Sequence, residues 1–187
     1  MPTRKDQVKQ YVAQQLFRLE QLRGVSAGRA ALAQLRRGIG HEPGEVPQLW
    51  GAFLGEMPEE LQNLSGKPSR EEWAIYTVLT LYALHQQGHS DNMNVKGVSL
   101  GSAAAKLAPN DEERERIWRR LNLVAQSDDM IELSYRLRQL ITLLKSGGVG
   151  LDYVMLAADL YEYQFTDSAN HVRLRWGQSF FHNHGMK

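Results

Sequence analysis

Between residues 5 and 23 the chain reads KDQVKQYVAQQLFRLEQLR. Val8, Tyr11, Val12, Leu16 and Leu19 recur at the three- and four-residue spacing that lines one face of an α-helix. Gly24 offers a stop. SAGRAALAQLRRG, residues 26–38, predicts a second helix, with Ser26 placed to cap its start, Leu32 and Leu35 directed to a core, and Gly38 placed to end it. GIGHEPGEVP reads as a loop, QLWGAFLGE as a short helix, and EMPEELQNLSGKP as a polar connection with at most one helical turn. Ser69 and Glu72 have the spacing of a capping box ahead of WAIYTVLTLYALHQQ, which predicts a buried helix. The polar stretch QGHSDNMNVKG has no periodicity and reads as a mobile loop.

Ser99 is placed to cap SLGSAAAKLA, and Pro109 separates that helix from one starting near Asp111. In DEERERIWRRLNLVAQ the acids fall in the first turn and the arginines later, as the helix dipole favours. Ser127 and Asp128 are placed to cap MIELSYRLRQLITLLKS, where Leu133, Leu137, Leu140, Ile141 and Leu144 share a face. SGGVG breaks that helix, and LDYVMLAADLYEYQ and DSANHVRLRWGQSFF predict two more, with Trp176, Phe180 and Phe181 at the helical spacing of core or subunit packing. No strand pattern, repeat or low-complexity tract emerges. The fold class is all-α, a compact multi-helix bundle. Residues 1–187 are read as a single all-helical domain, with a place near 88–98 where two lobes could join.

At 42% hydrophobic residues the chain can bury an ordinary core. It has no cysteine, which excludes disulfides, thiolate zinc sites and a cysteine nucleophile and fits a reducing compartment. AIYTVLTLYAL is too short to span a bilayer, and no apolar stretch follows the charges of MPTRKDQVKQ as a signal peptide requires. A cytoplasmic protein without a membrane partner is expected.

Several strings invite a catalytic reading. GVSLG, residues 97–101, matches the nucleophile elbow of serine hydrolases, but that chemistry needs a strand before Ser99, and SDNMNVK is not one. His85 and His89 have the spacing of a zinc motif, but Gln86 stands where its glutamate belongs, so helix-end histidines are the simpler account. HNH, residues 182–184, reads as a tail. Asp128 and Asp129 are explained by helix capping without a metal. No nucleophile, base and orienter come together; no enzyme activity, metal or cofactor is expected.

Charge is segregated although the net is only +1. Residues 1–40 hold eight Lys/Arg against two Asp/Glu; residues 41–72 hold two against seven. At about 100° per residue Arg29 and Arg36 stand roughly 20° apart and Arg37 about 80° beyond Arg29. Three positive charges therefore share one helix face with no acid among them. Arg116, Arg119 and Arg120 share another face, although Glu112, Glu113 and Glu115 lie close enough in sequence to pair with them. Arg138 and Lys145 lie opposite the leucines of their helix, and Arg173 and Arg175 flank Leu174. Such helices side by side could track a sugar-phosphate backbone. They could equally dock acidic protein surfaces.

Five stretches, in order, resemble the CasB family, the small subunit of the type I-E CRISPR surveillance complex Cascade: RAALAQLRRG; ALHQQG with GVSLGSAAAKL; ERERIWRRLNLVAQSDDMIELSYRLRQLITLL; LDYVMLAADLYEY; and VRLRWGQSFF. The resemblance implies an all-helical, non-enzymatic protein present in two copies within a crRNA-guided complex. Its implied partners are the backbone and large subunits, a second copy of itself, crRNA and target DNA. Its implied task is to help hold the opened target and the displaced strand, while base pairing with the guide reads the sequence. Carried onto this chain, the family's basic positions are matched by Arg29, Arg36 and Arg37, by Arg116, Arg119 and Arg120, by Arg138, by Arg173 and Arg175, and by Lys96. A structural adaptor that meets its neighbours through the same faces is the alternative.

Overall fold

The computed structural model describes residues 1–182. Among them are nine α-helices: α1 (Arg4–Gln21), α2 (Ser26–Arg36), α3 (Trp50–Phe53), α4 (Arg70–Gln86), α5 (Leu100–Lys106), α6 (Asp111–Ala125), α7 (Met130–Ser146), α8 (Tyr153–Tyr163) and α9 (Thr166–His182). Single 3₁₀ turns, Pro47–Leu49 and Glu59–Leu61, flank α3. The chain is an all-α bundle. Its one strand-like contact among the described residues is an isolated parallel bridge between Asn94 and Leu151. Of the HNH string, Asn183 and His184 lie outside the described residues.

Helix α4 organises the rest. Every residue from Ala74 to Ala83 is buried, so the helix has no face for water. Helices α1, α2, α7 and α8 cover it; α8 also packs on α1 and α9, and α5 joins α9 to α6. One cluster of buried apolar side chains runs through all nine helices, and the leucine face of α7 lies within it. Trp176 and Phe180 belong to this cluster, whereas Phe181 is exposed. The polar ends of α4 are bonded. At its start Ser69 and Glu72 form the capping box, and Glu72 also accepts the Asn63 N–H at 3.0 Å.

Three local expectations change. Val25, not Ser26, is the N-cap residue of α2. The α1–α2 turn closes through the Val25 N–H on Leu22 O at 3.2 Å, which leaves Val25 extended and puts Ser26 inside the helix. Asp129, not Ser127 or Asp128, caps α7. The Ser127 N–H still bonds Val124 O in the last turn of α6, and the Asp128 N–H is taken by Glu132. Nor is QGHSDNMNVKG a loosely held loop. The Gln86 side chain donates to His89 O at 3.1 Å and Asp91 O at 2.8 Å and accepts the Met93 N–H at 2.9 Å. Further along, the Val95 N–H donates to Leu151 O at 2.9 Å and the Leu151 N–H to Met93 O at 2.9 Å. The Gly97 N–H donates to Asp152 at 2.8 Å. Leu151 and Asp152 lie more than fifty residues away, beyond the reach of any local pattern.

Gly101, the last letter of the hydrolase-like string, has a packing reason. A methyl group there would overlap Trp176 O and lie 2.9 Å from the Phe180 nitrogen, so α5 crosses α9 at backbone contact. Gly101→Ala is expected to lower stability by about 1–3 kcal/mol through overpacking. Thermal unfolding followed by circular dichroism measures it; an unchanged midpoint would contradict this close crossing.

A second prediction concerns pH. His85 is fully buried and its Nδ1 lies 2.8 Å from the Tyr153 hydroxyl. Burial, reinforced by His89 and Lys145 and opposed by the Val149 backbone, lowers its pKa from 6.5 to about 4. The unfolded chain therefore takes up a proton that the folded chain refuses. Stability from this site is complete above about pH 6.5 and is lost as pH falls toward 4, by up to about 3 kcal/mol. Urea midpoints of the wild type and His85→Gln should converge between pH 7 and pH 4. Parallel declines would show that His85 does not carry the effect.

Candidate nucleic-acid interface

Helix α2 lies against α4, and the loop that leaves α4 bends back toward it. Between them is a groove of about 530 Å³ lined by Arg23, Arg29, Leu32, Arg36, Gln87 and His89, among others. Arg36 is half-buried. Its guanidinium makes only a long 3.4 Å contact to Ala83 O, and burial alone draws its pKa below the ordinary value. Arg29 is exposed and donates to Gly24 O at 2.9 Å, which holds its head over the turn. Arg23 donates to Ser90 O at 2.8 Å and pairs with Glu20 at 3.0 Å, tying the α1–α2 turn to the opposite wall. His89 Nε2 lies 2.9 Å from Lys145 O, and Lys145 reaches Gln87 Oε1 at 3.0 Å. This arrangement places cationic and hydrogen-bonding groups around a concave space, as an anionic ligand requires.

The predicted basic residues fall into two groups. Among the described residues, Arg29, Arg36, Arg37, Lys96 and Arg138 have no carboxylate within ion-pair distance. Arg29 and Arg36 line the groove, and Arg37 is exposed beside them in the chain. Arg138 of α7 reaches the turn at Gly40 that follows α2. Lys96 is exposed in the segment held by the bridge to Leu151.

The other group is occupied within the fold. Arg116 pairs with Glu113 at 2.8 Å and Arg119 with Glu115 at 3.1 Å, while Arg120 donates to Gln139 at 3.1 Å. These are exposed contacts on α6, which packs against α7 and α5, whereas α2 packs mainly on α4. Arg173 is a staple: it donates to Ala125 O at 2.7 Å, to Asn170 at 2.9 Å and to the Tyr163 hydroxyl at 3.2 Å, with its guanidinium over the Tyr163 ring. Arg175 bridges Asp159 at 2.8 Å and Glu162 at 2.6 Å. Burial raises the Asp159 pKa against the hydrogen bonds from Arg175 and Trp176. Lys5 extends the network by pairing with Glu162 at 2.8 Å, so α1, α8 and α9 are joined by charge.

Sequence reasoning missed Arg23, Gln87 and His89. Arg23 closes the stretch 5–23 that reads as the first helix, one residue before Gly24, and so is not grouped with the arginine face of the second; the structure puts it in the α1–α2 turn. Gln87 and His89 read as the frayed end of a helix. The available signal was the basic cluster from Arg18 to Arg37 in a stretch with only Glu20 opposing it.

The catalytic alternatives find local explanations. The Ser99 hydroxyl accepts the Ser102 N–H at 3.3 Å at the start of α5, after a loop and not after a strand. Among the described residues no group of three or more acidic or histidine side chains could hold a metal ion. No described helix is long and apolar enough to cross a membrane.

Comparison with known proteins matches this architecture. The family model described as CRISPR-associated protein Cse2 matches residues 31–181. CasB from Thermobifida fusca is 31% identical, with a TM-score of 0.77 over 93% of this chain and 97% of that one. CasB from Thermus thermophilus is 25% identical, with a TM-score of 0.69 over 91% and 97% of the two chains. M. ruber CasB, also 25% identical, gives 0.67 over 98% and 95%. No curated protein matches. The helical order, the pinned 86–98 segment and the α2 groove are therefore features of a chain that belongs to the CRISPR-associated Cse2 (CasB) family.

Proposed function

We propose that this chain is the non-catalytic small subunit of a type I-E Cascade complex, and that it stabilises the crRNA-guided R-loop by holding nucleic-acid backbone. Family membership supports the assignment to Cascade. The observation that carries the contact is the half-buried Arg36 guanidinium in a groove with Arg29 and Arg23 and no acid of its own. A phosphodiester supplies the missing counter-charge, and the planar fork of arginine suits it. Sequence would be read by the guide, with the protein adding contacts that do not depend on the bases. The ion-paired Arg116 and Arg119, the Gln139-bound Arg120 and the stapling Arg173 and Arg175 support the fold first, and Arg29, Arg36, Arg37 and Arg138 meet the strand, with Lys96 as an outlying contact.

A second reading has one observation in its favour. Trp50 is half exposed within the acidic 41–72 stretch, which suits protein contact, and an adaptor could use its basic faces in the same way. The two readings separate in the assembled complex. Changing Arg29, Arg36 and Arg37 together to Ala should leave assembly intact and weaken retention of target DNA. The slope of log affinity against log salt should fall by about 2–3, one unit or slightly less for each phosphate that is no longer neutralised. Impaired assembly, with normal DNA retention by the fraction of complex that does form, would establish the adaptor instead. Arg116→Ala with Arg119→Ala should change the slope by less than about 1, because both cations already have glutamate partners.

A further inference from the structure

Helix α2 has a second face. Away from Arg29 and Arg36, it borders a separate pocket of about 320 Å³ between α1, α2 and α3. Leu35 and Leu79 line it and belong to the buried core, so the pocket reaches down to that core. Leu19 and Leu22 contribute from α1, Gly51 and Ala52 from α3. The small α3 residues leave the space open: a Cβ added at Gly51 would meet nothing within 4 Å. The walls are held in place. The Tyr11 hydroxyl of α1 donates to Phe53 O of α3 at 3.0 Å, and the Gln34 side chain of α2 donates to Gln48 O just before α3. A fixed concavity with an apolar lining lowers the ordering cost of receiving an apolar group.

Apolar lining alone does not choose a partner; the charge around it does. Residues 41–61 carry five glutamates and no lysine or arginine. Glu56 pairs with Arg18, which lines the pocket, so the one cation there is already neutralised. Among the described residues Glu42, Glu59 and Glu60 have no basic partner. Glu59 and Glu60 stand in the turn after α3 that packs on α1. Glu42 stands in the turn that the half-exposed Trp50 reaches through Gly44 O at 3.3 Å. Apolar space is thus bordered by unpaired negative charge, which repels phosphate and favours a basic polypeptide. A second copy of this chain is a poor fit. Its exposed Leu174 lies between two arginines, but Arg173 and Arg175 are both engaged inside the fold.

We propose that the α1–α2–α3 pocket receives one large apolar side chain from a Lys- or Arg-bearing segment of a different protein. The inference goes beyond the nucleic-acid reading and does not depend on it, since no residue lines both the pocket and the groove. The chain has no cysteine, so Gln48→Cys creates a single attachment point beside the pocket. Gln48 is exposed, and its backbone oxygen, which the change keeps, is what Gln34 uses. This variant is labelled with benzophenone maleimide, assembled into the full complex and irradiated, and its adducts are mapped by mass spectrometry. An adduct is expected on a basic segment that carries a Leu, Met, Phe or Trp. That segment, as a synthetic peptide, is then titrated against the full unlabelled chain. Gly51→Leu, which fills the pocket, should weaken peptide binding about tenfold, and Gly51→Ala less than about twofold. Glu59→Gln with Glu60→Gln should weaken it at low salt and match the wild type near about 1 M salt, where charges are screened beyond about 3 Å. Thermal unfolding checks that each variant folds.

Adducts on an acidic segment, on one without a large apolar residue, on nucleic acid or on a second copy of this chain would overturn the proposal. So would the lack of any adduct, or equal peptide binding by Gly51→Leu and Gly51→Ala. Retention of target DNA by the triple-alanine complex tests the nucleic-acid reading separately, so either can fail alone.

Discussion

Burial of α4 on every side is the constraint from which the rest of the structure follows. A helix without a polar face must be enclosed, and α1, α2, α7 and α8 enclose it. Hydrophobic burial of this kind is non-directional and sets no unique register by itself. Direction comes from the two ends, where polar side chains are buried with named partners. Glu72 closes the N-terminal end on Ser69 and Asn63. Gln86 closes the C-terminal end on His89, Asp91 and Met93. The groove forms at that second end, because the enclosed helix stops while α2 beside it continues to present arginines. A site made at the terminus of the most buried helix inherits the rigidity of the core.

The arginines show how one residue type divides by environment. An exposed pair such as Arg119–Glu115 contributes little, since water competes with both partners. Arg173 contributes through geometry: its fork meets Ala125 O at the end of α6 and the Tyr163 hydroxyl at the end of α8. Arg36 is different again. Burial disfavours its charge, and no described carboxylate repays that cost. A protein retains such a residue at an unpaired, partly enclosed position most readily when a ligand completes it.

Much of the fold was legible in the sequence because its signals are local. Five leucines and isoleucines at helical spacing placed the core face of α7, and Ser69 with Glu72 placed the start of α4. Capping was less legible at α2 and α7, where a neighbouring turn, and not the residue type, decided which position stayed extended. The 86–98 segment was not legible at all. Its polar letters describe a loop, but its rigidity comes from Leu151, Asp152 and Lys145, which only the fold brings near. The candidate site follows the same rule. The α2 periodicity put Arg29 and Arg36 on one face, whereas the opposing wall of Gln87 and His89 required the tertiary structure. Charge counting also placed Arg173 and Arg175 with the other cations, because their partners Asp159, Glu162 and Ala125 are ten or more residues distant.

The central claim is that the α2 groove, and not the α6 arginine face, meets the opened strand. Hydrogen–deuterium exchange of the assembled complex, compared before and after target DNA is added, tests it most directly. Slower exchange at residues 23–29 and 86–90 is predicted on DNA binding, with residues 111–120 unchanged. Protection confined to residues 111–120, or none in the groove while DNA is bound, would contradict it.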